Sequence, residues 1–143
     1  MQWGQDGNSF IVYVEKNEKI MDSITQFCVN KQIHNGFISG IGAIKSVELG
    51  AFDIDNKTYI RKHIDAHLEL TSFQGNITLK DGKPFIHAHI TVGDHEMKIM
   101  GGHLFEATVA AVGEFSLEQR TFDASRKLNE DVGLPCICLS ETF

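Results

Sequence analysis

Apolar and polar residues alternate with a period of two along most of this chain, and one segment breaks that rhythm. Ser9 to Val14, Ser-Phe-Ile-Val-Tyr-Val, alternates and is rich in β-branched and aromatic residues, which favours a strand. Ile20, Met21, Ile24, Phe27 and Cys28 then fall at helical spacing, with Lys16, Lys19, Asp22, Gln26 and Asn30 on the polar side. Asn17 is placed to cap this helix, and Gly36 in His34-Asn35-Gly36 is free to take the left-handed position that ends it. Ala43 to Phe52 alternates again, Asp53 to Lys57 reads as a turn, and Thr58 to Ile64 as a short strand. Leu68 to Phe73 and Ile77 to Leu79 continue the pattern up to a tight turn at Asp81-Gly82. Leu104 to Leu117 reads as a long strand bent near Gly113. Phe122 to Asn129 is polar and reads as a turn or helical piece, and Cys136 to Leu139 as a last small strand. One helix against many mostly antiparallel strands predicts an α+β domain. So many strands leave edges, and self-association is one way to cover them.

Composition narrows the picture. The 143 residues suggest one domain spanning 1–143, with its core over about 8–140. Hydrophobic content of 42% and charged content of 22% fit an ordinary soluble globular protein. No apolar run approaches the ~20 residues that span a bilayer, so no membrane partner is expected. The start, Met-Gln-Trp-Gly-Gln-Asp-Gly, has neither a basic nor an apolar leader region, and a cytoplasmic location is expected. The net charge of −6 disfavours DNA, because phosphate-backbone binding needs a dense Lys/Arg surface. Cys28 falls on the apolar helix face and is expected in the core. Cys136 and Cys138 make no C-x-x-C motif and read first as two small residues on one strand face. The glycine-rich stretch from Gly36 to Ile44 leads into a strand, not a helix, which argues against a dinucleotide cradle. Ser39 lacks the flanking glycine of a nucleophile elbow and reads as a turn or packing residue.

Chemistry concentrates in Phe85 to Glu106, which holds four of the seven histidines. His87 and His89 lie two apart on a predicted strand and therefore share a face. Gly93-Asp94-His95-Glu96 reads as a hairpin turn, and Met97 to Met100 as the return strand. Gly101-Gly102 permits a close backbone approach that would bring His103 beside the first pair. Three neutral imidazoles with an open fourth position are the donor set of a catalytic-type zinc site, and another divalent metal would suit it as well. The bland alternative is a half-exposed, polar strand face. Glu69 and Glu114, both on predicted strands, are candidates for a general base or a fourth ligand, and His67 is a further candidate. His63 and His95 read as surface residues.

Several segments together resemble a known family. These are Gly-Phe-Ile-Ser-Gly-Ile-Gly-Ala (36–43), Leu-Glu-Leu-Thr-Ser-Phe-Gln-Gly (68–75), Pro-Phe-Ile-His-Ala-His-Ile (84–90), Gly-Gly-His-Leu (101–104) and Thr-Val-Ala-Ala-Val-Gly-Glu (108–114). In that order they are similar to the PPC domain, conserved between plants and prokaryotes. The resemblance implies an antiparallel sheet with a packed helix, assembled as a homotrimer. It also implies a zinc ion held by His87, His89 and His103, as in prokaryotic members whose fold resembles acetolactate decarboxylase. Single-domain members carry a DNA-binding label, and plant members act in protein–protein interaction. This chain departs from the plant pattern: it contains no Arg-Gly-Arg-Pro hook for the minor groove. Against the plant partner-recruiting motif, Ala66 to Thr71 keeps only Glu69. The expected function is therefore a trimeric metal-binding domain with room for a small-molecule ligand. Its activity, enzymatic or not, is unassigned. DNA binding, or a non-catalytic interaction module, is the alternative.

Overall fold

A computed structural model describes residues 1–140 of the chain. It contains β1 (Gln2–Asp6), β2 (Ser9–Val14), α1 (Ile20–Lys31), β3 (Gly36–Asp53), β4 (Thr58–Ile64), β5 (Leu68–Lys80), β6 (Lys83–Gly93), β7 (Ile99–Gln119), β8 (Ala124–Asn129) and β9 (Leu134–Leu139). The strands form one sheet in the order β1-β2-β7-β3-β5-β8-β9, with β4 on β3 and β6 between β5 and β7. All pairings are antiparallel except β5 with β8. Because β7 pairs with β3, β3 with β5, β5 with β6 and β6 with β7, the central four strands close into a ring. The expected α+β domain, an antiparallel sheet packed against one helix, is what the chain forms.

The core follows the alternation. Phe10, Val12 and Val14 of β2, Ile38 and Ile44 of β3, and Phe115 and Leu117 of β7 are buried. They meet Ile20, Ile24, Phe27 and Cys28 of α1 in one cluster. Cys28 is thus a core residue, and burial pushes its thiol up to about 12.

Both helix ends differ from expectation. Asn17 has φ 71 and donates its backbone N–H to the Val109 carbonyl, so it lies outside the helix start. The residue before the helix is Lys19, which makes no side-chain cap. The Glu106 carboxylate fills that role from across the fold, accepting from Met21 N at 2.9 Å and Asp22 N at 3.2 Å. The left-handed terminal residue is Gln32, with φ 55, four residues before Gly36. Helix-period residues stop at Cys28, and Ile33 must turn inward into the core.

The glycine-rich stretch is the first half of β3. A Cβ on Gly40 would sit 2.3 Å from Phe115 Cδ1, and one on Gly42 would sit 2.4 Å from the Val112 carbonyl oxygen. These glycines let β7 close on β3, and Ser39 is paired in that sheet with Gln74 and Ser116. The expected irregularity at Gly113 is present, since the β3–β7 register shifts just past the Gly42–Gly113 pair. The return strand after the hairpin begins at Ile99, because Asp94 Oδ1 accepts from Glu96 N and Lys98 N and holds the turn through Met97. The polar run after Phe122 is corrected from turn or helix to strand β8. There, pairing with β5 on one side and β9 on the other outweighs local composition. Strand β1 was not anticipated; it pairs with β2 from Gln2 to Asp6. Among the described residues no helix is long and apolar enough to cross a membrane.

Candidate metal centre

His89 of β6 stands directly opposite His103 of β7, and His87 lies two residues back on the same face of β6. The ring centroids are 5.2 Å apart for His87–His89, 5.1 Å for His87–His103 and 5.4 Å for His89–His103. One nitrogen from each ring lies within 4.8 Å of the others, close enough to share a metal ion. Among the described residues this is the one such group, and no carboxylate joins it.

Glycines make this convergence sterically feasible. A Cβ on Gly101 would sit 2.4 Å from the Ile90 carbonyl oxygen, and one on Gly102 would sit 2.8 Å from that of Gly50. The Gly-Gly pair before His103 therefore lets β7 lie tight between β6 and β3. Gly50 pairs with His103 in turn, and its missing side chain leaves room for the Tyr59 and Phe105 rings. Tyr59 packs on His103 with centroids 4.8 Å apart, and Phe105 meets the same imidazole edge-on at 4.8 Å.

The electrostatics suit metal donors. Burial, followed by the charges of Arg126 and His89, holds His87 below the ordinary imidazole value. Burial, followed by His87, His89, Arg61 and Arg126, lowers His103 to about 4. Both rings are neutral near pH 7, as metal binding requires. His103 Nδ1 is buried without a hydrogen-bond partner. An orphaned buried nitrogen is costly, and a metal ion would satisfy it. On this ground the residues present fit a divalent ion.

Two hollows flank the cluster. One, of about 620 Å³, is walled mainly by apolar side chains including Leu49, Phe52, Ile60, Ile64 and Met100. The other, of about 410 Å³, includes Arg61, Phe85, Phe105 and Arg126. Tyr59, His87, His103 and Leu134 line both. Arg126 Nη2 lies 3.3 Å from His87 Nδ1.

The other sequence candidates lie elsewhere. Glu69 is exposed, pairs with Ala43 and Gly93, and shares a separate small hollow with His67. Glu114 is exposed opposite Tyr13 and Ile41. The structure brings neither carboxylate to the imidazoles. His63 is exposed beside Ser46, and His95 is exposed in the β6–β7 turn. Cys136 and Cys138 are half-buried free thiols of β9. Tyr59 and Arg126 were missed by sequence reasoning. For Arg126 a signal existed: Ala124, Arg126 and Leu128 alternate, which would have put the guanidinium on the inward face of a strand.

Comparison with known proteins bears on the family and the fold. The Plants and Prokaryotes Conserved (PCC) domain matches residues 1–119. A candidate DNA-binding protein from Bacteroides thetaiotaomicron is 32% identical, with a TM-score of 0.94 over 98% of each chain. A plant- and prokaryote-conserved protein from Pyrococcus horikoshii is 32% identical, with a TM-score of 0.85 over 99% of this chain and 94% of that one. A protein from Archaeoglobus fulgidus described as metal-containing is 34% identical, with a TM-score of 0.85 over 92% of this chain and 94% of the other. Among curated proteins none matches.

Proposed function

Because the chain belongs to the Plants and Prokaryotes Conserved domain family, we propose that it is a homotrimeric domain that binds a divalent metal, zinc in the first instance, through His87, His89 and His103. The observation that carries this reading is the convergence of three imidazoles within 4.8 Å, one of them with an unpartnered buried nitrogen. The metal-containing Archaeoglobus relative supports it. A zinc ion held by these three donors would supply an open position able to polarise a carbonyl oxygen or lower the pKa of a water. The chain's own part is to hold the three imidazoles in register and to pack Tyr59 against His103. Trimer formation is supported by the open face of the β2-β7-β3 sheet, where Ile11, Phe37 and Ile41 are each more than half exposed.

The test is metal content of protein purified without a metal-affinity tag, beside His87→Ala. About one zinc per chain, lost in the variant, is expected from three-ligand coordination. No metal in either protein would return the histidines to a polar strand face and leave a plain interaction module.

A second reading, DNA binding, is favoured by the description of the Bacteroides relative. The chain's net charge of −6 opposes it, and three copies would carry three times that.

A further inference from the structure

Among the described residues, Arg126 is a buried cation without a counter-charge. Its residue is 9% exposed, and among the described residues no carboxylate pairs with it. Its hydrogen-bond partners are all neutral. Nε donates to Thr78 Oγ1 at 3.0 Å, Nη1 to the Pro135 carbonyl at 2.8 Å, and Nη2 to Asn76 Oδ1 at 2.9 Å, with His87 Nδ1 at 3.3 Å. A guanidinium has five N–H groups, so at least one, on Nη1, is left over, and a second on Nη2 wherever His87 Nδ1 carries the ring hydrogen. These contacts fix the side chain in place but leave its charge unmet. Burying an unpaired charge costs several kcal/mol, and buried charges are ordinarily paired.

The surroundings sharpen the point. The two hollows beside the histidines include Arg61, Lys62 and Arg126 in their walls and, among the described residues, no carboxylate. This sign is opposite to that of the chain as a whole, whose net charge is −6. Arg61 is already answered by Glu48, 3.1 Å away, and Lys62 is exposed to solvent. Arg126 lines the smaller hollow next to His87, with its charge buried and, among the described residues, uncompensated.

We propose that this space is a binding site for a small carboxylic acid with an apolar body. The carboxylate would be met by Arg126 in the smaller hollow. The body would run past the histidines along Leu49, Phe52, Ile60 and Met100 in the larger one. One guanidinium, with a single positive charge, matches a single-charge carboxylate better than a phosphate dianion. Each hollow, of about 620 and 410 Å³, is on the scale of small-molecule sites. The placement of a second ligand oxygen at the histidines rests on the metal reading above; the Arg126 contact does not.

The probe is 2-oxohexanoate, with its methyl ester as the uncharged control. Both are titrated calorimetrically into zinc-loaded and metal-stripped wild type and into Arg126→Gln. The acid is expected to bind about tenfold or more tightly than the ester, and Arg126→Gln to abolish that preference while its zinc content stays at the wild-type level. Equal binding of acid and ester, no binding of the acid, or an unchanged preference in Arg126→Gln would overturn the proposal. If the variant does not fold, the acid-over-ester preference of metal-stripped wild type decides, since no metal is there to hold the carboxylate. A wild type that holds no zinc but keeps an Arg126-dependent preference would sink the metal reading alone. A zinc-loaded protein indifferent to Arg126 would sink this proposal alone.

Discussion

His89 and His103 are direct cross-strand partners, held opposite one another by the antiparallel register of β6 and β7. A slip of one residue would turn one of the two imidazoles to the other face of the sheet, so the site depends on register as much as on residue identity. The register in turn depends on how closely β7 approaches its neighbours.

Gly101→Ala tests that dependence. The new Cβ would meet the Ile90 carbonyl oxygen at 2.4 Å, and the obstacle is backbone, which cannot swing aside. The expected cost is about 1–3 kcal/mol of stability, as for overpacking generally. A parallel loss of metal affinity is expected, because Thr91, opposite Gly101, lies two residues from His89. Urea denaturation and a zinc-competition titration measure the two effects. Unchanged zinc affinity in a destabilised variant would show that the histidines do not rely on this approach.

Tyr59 reaches the site from β4 and packs on His103, Phe105 and Phe52. Tyr59→Ala removes these contacts, each worth about 0.5–1.5 kcal/mol. It also frees the His103 ring to reorient, and a roughly tenfold loss of zinc affinity is expected for a lost supporting group. Tyr59→Phe keeps the ring and should bind zinc as the wild type does. A tenfold loss in Tyr59→Phe as well would mean that the hydroxyl, not the packing, supports the site.

The histidine triad was legible because its signals are local. An alternating His-x-His, a turn, and Gly-Gly-His lie within one hairpin, and strand geometry does the rest. Tyr59 and Arg126 were not legible in the same way, because pairings far apart in sequence bring them in. Tyr59 arrives through β3–β4 pairing. Arg126 arrives through the single parallel contact of β8 with β5. The helix start was misread for the same reason, since its cap, Glu106, comes from a strand 85 residues beyond Met21. The long strands were read in pieces because glycines that look like turn formers serve close strand approach instead.

Glu106 gives a pH-dependent prediction. Burial raises its carboxyl above the ordinary value, against the opposing hydrogen bonds from Met21, Ala107 and Asp22. The folded state therefore holds this proton more tightly than the unfolded one. The resulting stability is fully present below the ordinary carboxyl value and is lost as pH rises through the raised value. Glu106→Gln cannot titrate, so the stability difference between wild type and variant should shift toward the variant as pH rises from acid to neutral. At neutral pH Glu106→Ala should cost about 1 kcal/mol, as for loss of a helix cap. Thermal melts across that range check both; a difference that does not change with pH would remove the proposed titration.

DNA binding makes a contrasting prediction. A protein of net charge −6, whose unpaired buried cation sits inside a hollow, presents little to a phosphate backbone. At physiological salt no gel retardation of duplex DNA is expected at micromolar protein. Retardation that weakens steeply with added salt would restore the DNA reading, because that slope counts neutralised phosphates.

The last prediction concerns assembly. Ile11 and Ile41 are 56% and 55% exposed, and Phe37 is 51% exposed, on the face of the β2-β7-β3 sheet opposite the core. Ser39 and Ser116 between them are small and uncharged, and Glu114 at the edge of this patch is its charged member, so an apolar strip with a polar margin is offered to a copy of the chain. Light scattering of the wild type should give three times the 16.0 kDa chain mass. Ile11→Lys with Ile41→Lys would place two charges in that contact and should yield single chains that stay folded, since neither residue belongs to the core. A wild type of one-chain mass would end the trimer reading. A trimer that survives both lysines would move its interface to another surface.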